Sequence, residues 1–333
     1  MPDRPPHLTP PLEAVLHLAA AWMSERYFRT FRPVEGDPGA FDAVLQQRDR
    51  RVGVTIGALW EPPADGAPPP GADTFAELLT ADMEAGNASI ARGAYAVWVP
   101  PKATLPTTEP QVSQLRDLLS RGLGGLAPGE AREVRLPLTL VLAKLSDEGA
   151  YVSVTGGLAP EWTVISEGVP GSYHLDSRAL YRLPAEQAEI DIIVSRVRDR
   201  AALLQPGEVT DVQVHDTWTV SRLPAGAPEG VVVMAAPSDV DPLDGTLVRR
   251  MLRRHVQRAV AQREAARAAG QQDDLSALVL LGALGHVKDE LATAALRGMN
   301  PAAYGGLDLI AIVADASVRQ VLQPRALPWE SPR

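Results

Sequence analysis

Two short, almost wholly apolar runs towards the C-terminal end, Ala277 to Leu281 and Leu307 to Val313, constrain the fold most strongly. Neither alternates polar with apolar residues as a strand with one wet face would, so each predicts a strand covered on both sides. Helical patterns flank them at Thr246 to Ala268, at His286 to Leu296 and, for a short helix, at Ser317 to Leu322. Helix and strand in alternation is the pattern of parallel strands joined by crossover helices. The expected fold class is therefore α/β, with a mixed sheet flanked by helices.

The rest of the chain supplies further elements. Leu12 to Phe31 carries apolar residues near a period of 3.6 and predicts a helix, with Thr9 before Pro10 and Pro11 as its start. Phe41 to Leu45 and Arg51 to Trp60 predict two strands around a polar turn, Gln46 to Arg50. A Pro-rich loop, Glu61 to Gly71, separates them from a helix at Thr74 to Ala88 and a strand at Ala94 to Val99. Gln111 to Leu123 predicts a helix, Leu138 to Lys144 with Tyr151 to Thr155 a hairpin across Ser146 to Gly149, and Ala185 to Leu204 another helix. Glu208 to Val214 and Val231 to Ala235 predict strands. The organisation expected is an N-terminal part of the α/β core at 1–100, an α+β insertion at 101–245 and a C-terminal part of the core at 246–333.

The absence of cysteine excludes disulfides, thiolate zinc sites and cysteine nucleophiles. No apolar run approaches the roughly 18 residues of a spanning helix, and the first ten residues lack a signal-peptide pattern, so a cytoplasmic protein is expected. The net charge of -9 argues against coating nucleic acid by overall charge. Charge is nonetheless uneven. Between Leu247 and Arg267 seven Arg face one acid, Glu264, giving this segment +6 and the remainder -15. Lys is confined to Lys102, Lys144 and Lys288, a bias towards Arg that accords with a GC-rich bacterial genome.

The stretch Phe41 to Glu61, FDAVLQQRDRRVGVTIGALWE, resembles the paired strands of the PD-(D/E)XK nuclease-like (restriction-endonuclease-like) superfamily, in which an Asp opens one strand and an acid-x-Lys triplet ends the next. A basic helix containing Gln257, then SALVLLGAL and GLDLIAIV, is similar to the helix and strands that complete that core after an insertion. The resemblance covers about residues 10–61 and 246–313. It implies that two carboxylates hold a divalent metal that activates water for phosphodiester cleavage, while the Lys stabilises transition-state charge. Asp42 stands at the first position, but the triplet reads Thr55-Ile56-Gly57, without acid or Lys. What the resemblance then implies is a degenerate active site, with Asp42 as a vestigial ligand or an ordinary strand-edge carboxylate, and with Glu61 or Glu25 as the displaced acid if chemistry survives. No cofactor is expected, and Mg²⁺ only if the chain is an active nuclease.

The arginine-rich helix is the candidate binding surface. Val248, Met251, Leu252, Val256, Ala259 and Val260 form its apolar stripe, leaving Arg250, Arg254 and Arg258 on the outer face with Arg249 and Arg253 beside them. Such a row suits successive phosphates of DNA or RNA; a solvated helix back paired with acids elsewhere is the simpler account, because few aromatic residues interleave with the Arg to stack on bases. Asp239, Asp241 and Asp244 lie close together, but Asp244 reads as the N-cap of that helix. His174 near Asp176, and His215 beside Asp216, lack the Gly-x-Ser-x-Gly turn of a hydrolase, and His286 with Glu290 lacks the zinc-helix pattern. Gly122 to Gly125 lacks the Lys of a phosphate loop and reads as a helix stop. Three functions follow as expectations: a degenerate nuclease-like protein that binds nucleic acid or a protein partner through the arginine helix; an active metal-dependent nuclease; or an assembly scaffold that pairs with another protein or a second copy. No membrane partner is expected.

Overall fold

The computed structural model describes residues 8–60, 71–100, 102–184, 187–236, 245–271, 273–282, 294–323 and 327. The chain divides into two compact units. One comprises Met1–Pro101, Arg116–Glu133 and Thr219–Arg333; the other comprises Lys102–Leu115 and Val134–Trp218. Both sheets are mixed and flanked by helices.

In the larger unit, α1 (Pro10–Tyr27) precedes β1 (Arg32–Pro33) and the hairpin of β2 (Ala43–Gln47) and β3 (Arg50–Ala58). A second stretch adds α2 (Ala72–Glu84), β4 (Ala94–Trp98) and α3 (Gln111–Leu123), whose first residues belong to the smaller unit. Beyond residue 219 come the end of β8 (Val209–Arg222), β9 (Gly230–Met234), α6 (Gly245–Ala268), β10 (Leu275–Leu281), β11 (Leu309–Ala314) and β12 (Ser317–Leu322). The first sheet runs β1-β2-β3-β10-β11-β12. β2 is antiparallel to β1 and β3, whereas β3, β10 and β11 are parallel. β4 pairs antiparallel with β8 and parallel with β9.

Strand period explains how this sheet is covered. Ala277, Val279 and Leu281 of β10, with Leu309 and Val313 of β11, pack into the cluster that holds Val15, Ala19 and Met23 of α1. The alternate residues Leu278, Leu280, Ile310 and Ile312 pack with Val248, Met251, Leu252, Val256 and Ala259 of α6. Successive side chains of a strand point to opposite faces, so the two apolar runs fill two cores at once, one under each helix layer.

The smaller unit holds most of β5 (Ala131–Ser146) and β8, together with β6 (Ala150–Thr155), α4 (Trp162–Ser166), β7 (Gly171–Asp176) and α5 (Gln187–Ala201). Its inward residues, among them Leu140, Leu142, Val152, Tyr173, Leu175 and Val212, pack against Ile193, Val194 and Val197 of α5.

Several elements depart from the sequence expectations; β5 and β8 run well beyond their expected bounds, and two departures change the topology. The hairpin expected between Leu138–Lys144 and Tyr151–Thr155 is split: β7 lies between them, antiparallel to β5 and parallel to β6. Gly171-Ser-Tyr-His-Leu-Asp has the alternation of a half-buried strand, and as the inner strand it satisfies backbone groups on both neighbours. Ser317–Leu322 is a strand, not a helix. Asp315 and Ala316 both have left-handed φ, 49° and 59°, and so form a two-residue turn that folds β12 back on β11, with Ala314 opposite Ser317. The helix expected at His286 to Leu296 lies mostly outside the described residues, with 294–297 helical. α1 ends four residues early, because Phe28 adopts a left-handed conformation that terminates it.

Candidate functional site

The alternation that buries Val52, Val54 and Ile56 of β3 under α1 leaves Gly53, Thr55 and Gly57 for the opposite face. That face carries no apolar bulk beyond a threonine methyl, so α6 approaches it closely. A Cβ added to Gly57 would collide with the His255 ring at Cε1. On α6, His255, Arg258 and Gln262 are spaced i, i+3 and i+7, which places them on one side of the helix.

Asp42 stands just before β2, its N–H donating to the Val54 carbonyl at 3.1 Å. Its carboxylate accepts from the Ile56 N–H at 2.8 Å, from Arg258 Nη2 at 2.5 Å and from Gln262 Nε2 at 3.0 Å. Gln262 is in turn oriented by Thr55, whose Oγ1 donates to Gln262 Oε1 at 2.5 Å. Arg258 also donates to the Ile56 carbonyl. The His255 Nε2 lies 2.8 Å from the Ala58 carbonyl oxygen, while its Nδ1 is buried without a hydrogen-bond partner. Burial of this ring, with the backbone bond to Ala58 opposing and Arg258 and Arg254 reinforcing, lowers the His255 pKa below the ordinary histidine value.

Thr55 and Gly57 are thus both met from α6: Gln262 bonds to Thr55, and the His255 ring covers Gly57. This donor set does not fit a divalent cation: the one carboxylate is held by a guanidinium, and cation and guanidinium compete for the same oxygens. Among the described residues, no group of three or more His, Asp or Glu is placed to hold a metal ion.

The structure brings Asp42, Thr55, Gly57 and Arg258 together. Arg258 had been expected in the outer row, yet its guanidinium turns to Asp42, an ion pair in which the side chains are 20% and 43% exposed for Asp and Arg. Arg249, Arg253 and Arg254 are exposed on α6, as is Arg250, which has a partner of its own. Arg263 is drawn inward as well, 3.4 Å from the buried Asp308. Gln257 is exposed, and Gln262 is the glutamine that reaches the strands. Glu25 is exposed on α1 without a bond to Asp42 among the described residues. Glu61, Asp239, Asp241, Asp244, His286 and Glu290 lie outside the described residues.

Elsewhere the candidate constellations resolve into structural pairs. His174 Nδ1 is 2.9 Å from Ser153 Oγ. Asp176 is bound by Arg178, whose hydrogen bonds pull its pKa down to about 2. Asp216 is committed to Arg182, the Thr217 N–H and the Trp218 indole. Gly125, with φ of 73°, follows the end of α3.

His255 and Gln262 are the neighbours of this strand pair that sequence reading missed. The signal was Gly57 itself: a glycine inside a strand marks the close approach of another element. Comparison with family models, with curated proteins and with solved structures gave no match to this chain.

Proposed function

We propose that this chain is a catalytically degenerate nuclease-like protein that binds a nucleic-acid backbone through α6. The observation that carries the reading is the Asp42 carboxylate, which accepts from Arg258, Gln262 and the Ile56 N–H in the place where the related fold would hold metal. Support for the restriction-endonuclease-like core comes from α1, the β2–β3 hairpin, α6 and β10 belonging to a single three-layer arrangement around one sheet. With Arg258 and Arg263 engaged inward and Arg250 partnered, the exposed cations of the helix include Arg249, Arg253 and Arg254, which stand close together, and Arg267 near its end. Three phosphate contacts give a log-log salt dependence near -2.7 on duplex DNA, at about -0.9 per contact.

The test is fluorescence anisotropy of labelled duplex and single-stranded DNA titrated against the full chain in rising salt, with Mg²⁺ or EDTA. The expected result is binding that weakens steeply with salt, is lost in the R249E/R253E/R254E variant and is indifferent to Mg²⁺. Absence of binding at low salt, or unchanged affinity in that variant, overturns the binding surface. Mg²⁺-dependent cleavage that vanishes on Asp42→Ala overturns the degenerate assignment.

A further inference from the structure

A second concentration of positive charge lies away from α6, where α1 ends. Ser24 organises the turn: its Oγ donates to the Ala20 carbonyl and accepts the Phe31 N–H at 2.9 Å. The Arg29 N–H donates to the Ser24 carbonyl, closing a helix cap around Phe28, which has φ of 53°. That left-handed position is one glycine takes freely and a bulky side chain takes at a cost. Phe28 nevertheless occupies it and is 91% exposed, the most exposed large apolar residue among those described. Two unfavourable choices, strain and a bare phenyl ring in water, coincide on one residue. Strained positions of this kind cluster at ligand-binding sites.

The ring borders a concavity of about 640 Å³ lined by Arg29, Arg32, Arg48, Thr30 and Gln46. The three arginines come from three places: the end of α1, strand β1 and the β2–β3 turn. Among the described residues none has a carboxylate partner and no acid lines this concavity, although the adjoining hollow, which Arg32 also borders, carries Glu13, Glu35 and Glu229. In a chain of net charge -9, three arginines around one hollow, without a carboxylate partner among the described residues, form a donor set that suits an anion. The dipole at the end of α1 accounts for Arg29 alone, since Arg32 and Arg48 stand on other elements.

We propose that this concavity binds a nucleoside phosphate, with the phosphates held by Arg29, Arg32 and Arg48 and the base stacked on Phe28. A planar base offers the ring a face to cover, as aromatic platforms do for unpaired bases. The phosphate chemistry is common to a free nucleotide and to the end of a single strand. A lipid surface is disfavoured because the cations surround a hollow, and one phenyl ring supplies little area for insertion.

The experiment is isothermal titration of the full chain at low salt with ATP, tripolyphosphate, a 5′-phosphorylated ten-nucleotide thymidine strand and anionic phosphatidylserine vesicles. ATP should bind, and tripolyphosphate should bind about tenfold more weakly for want of a base. R29A/R32A/R48A should lose both. F28G should weaken ATP about tenfold, leave tripolyphosphate unchanged and raise the Tm, because relief of the left-handed strain stabilises the fold while the stacking platform is lost. A strand that binds more tightly than ATP identifies a nucleic-acid end as the ligand; equal or weaker strand binding identifies a free nucleotide. No binding of ATP or the strand, binding of vesicles alone, or ATP binding indifferent to both variants overturns the proposal. R249E/R253E/R254E should leave ATP binding intact, which separates this site from the α6 surface.

Discussion

Asp42 in the larger unit and Asp216 in the smaller one carry the same equipment: each carboxylate accepts from one arginine, one backbone N–H and one further side chain. They differ in where the donors come from and how much water reaches them. Thr217 and Trp218 follow Asp216 directly in the chain, and Arg182 is additionally held by Glu189 at 2.6 Å. Arg182 and Asp216 are only 13% and 6% exposed, so the pair is a lock set into a core. Every donor to Asp42 lies on another element, two of them on α6 more than 200 residues away in sequence. Its arginine is nearly half exposed. Chemistry that looks alike is therefore architectural in one place and an open strand mouth in the other.

The largest effect should come from Arg182→Met, which strands the buried Asp216 without its countercharge and should cost about 3 to 5 kcal/mol in chemical denaturation. A loss under 1 kcal/mol would remove the distinction between lock and mouth. Gly57→Ala should cost about 1 to 3 kcal/mol, because the new methyl meets the His255 ring. Combining it with His255→Ala in a double-mutant cycle should recover much of that loss, whereas simple additivity would show that ring and glycine do not press on each other. Arg258→Met should be the mildest, at about 1 kcal/mol or less, since Asp42 keeps Gln262, the Ile56 N–H and access to water. A cost equal to that of Arg182→Met would make Asp42 a core lock too.

The contrast also explains which features were legible from sequence. α3 was legible to the residue from its helical period, and β10 within two residues from an unbroken apolar run, because both signals come from burial that neighbouring residues share. β12 was misread, since Val318, Val321 and Leu322 fit a helical spacing and the decisive information sat in two left-handed residues before it. The split hairpin was not legible because β7 arrives from beyond the turn that joins β5 to β6. At the site, Asp42, Thr55 and Gly57 were visible, as one strand pair holds all three. Arg258 was not: its position fits an outer row and an inward pair equally well, and only the unoccupied face of β3 decides between them.

The parallel pairing of β3 with β10 joins Val52 to Leu275 and Ala58 to Leu281. During synthesis the β2–β3 hairpin leaves the ribosome with one edge open, and that edge waits for more than 200 further residues before its partner exists. An unpaired apolar strand held for so long is an invitation to foreign strands, and long-range pairing of this kind slows folding. The same topology that draws α6 over Asp42 therefore leaves the nascent chain with an aggregation-prone edge until its last quarter has been made.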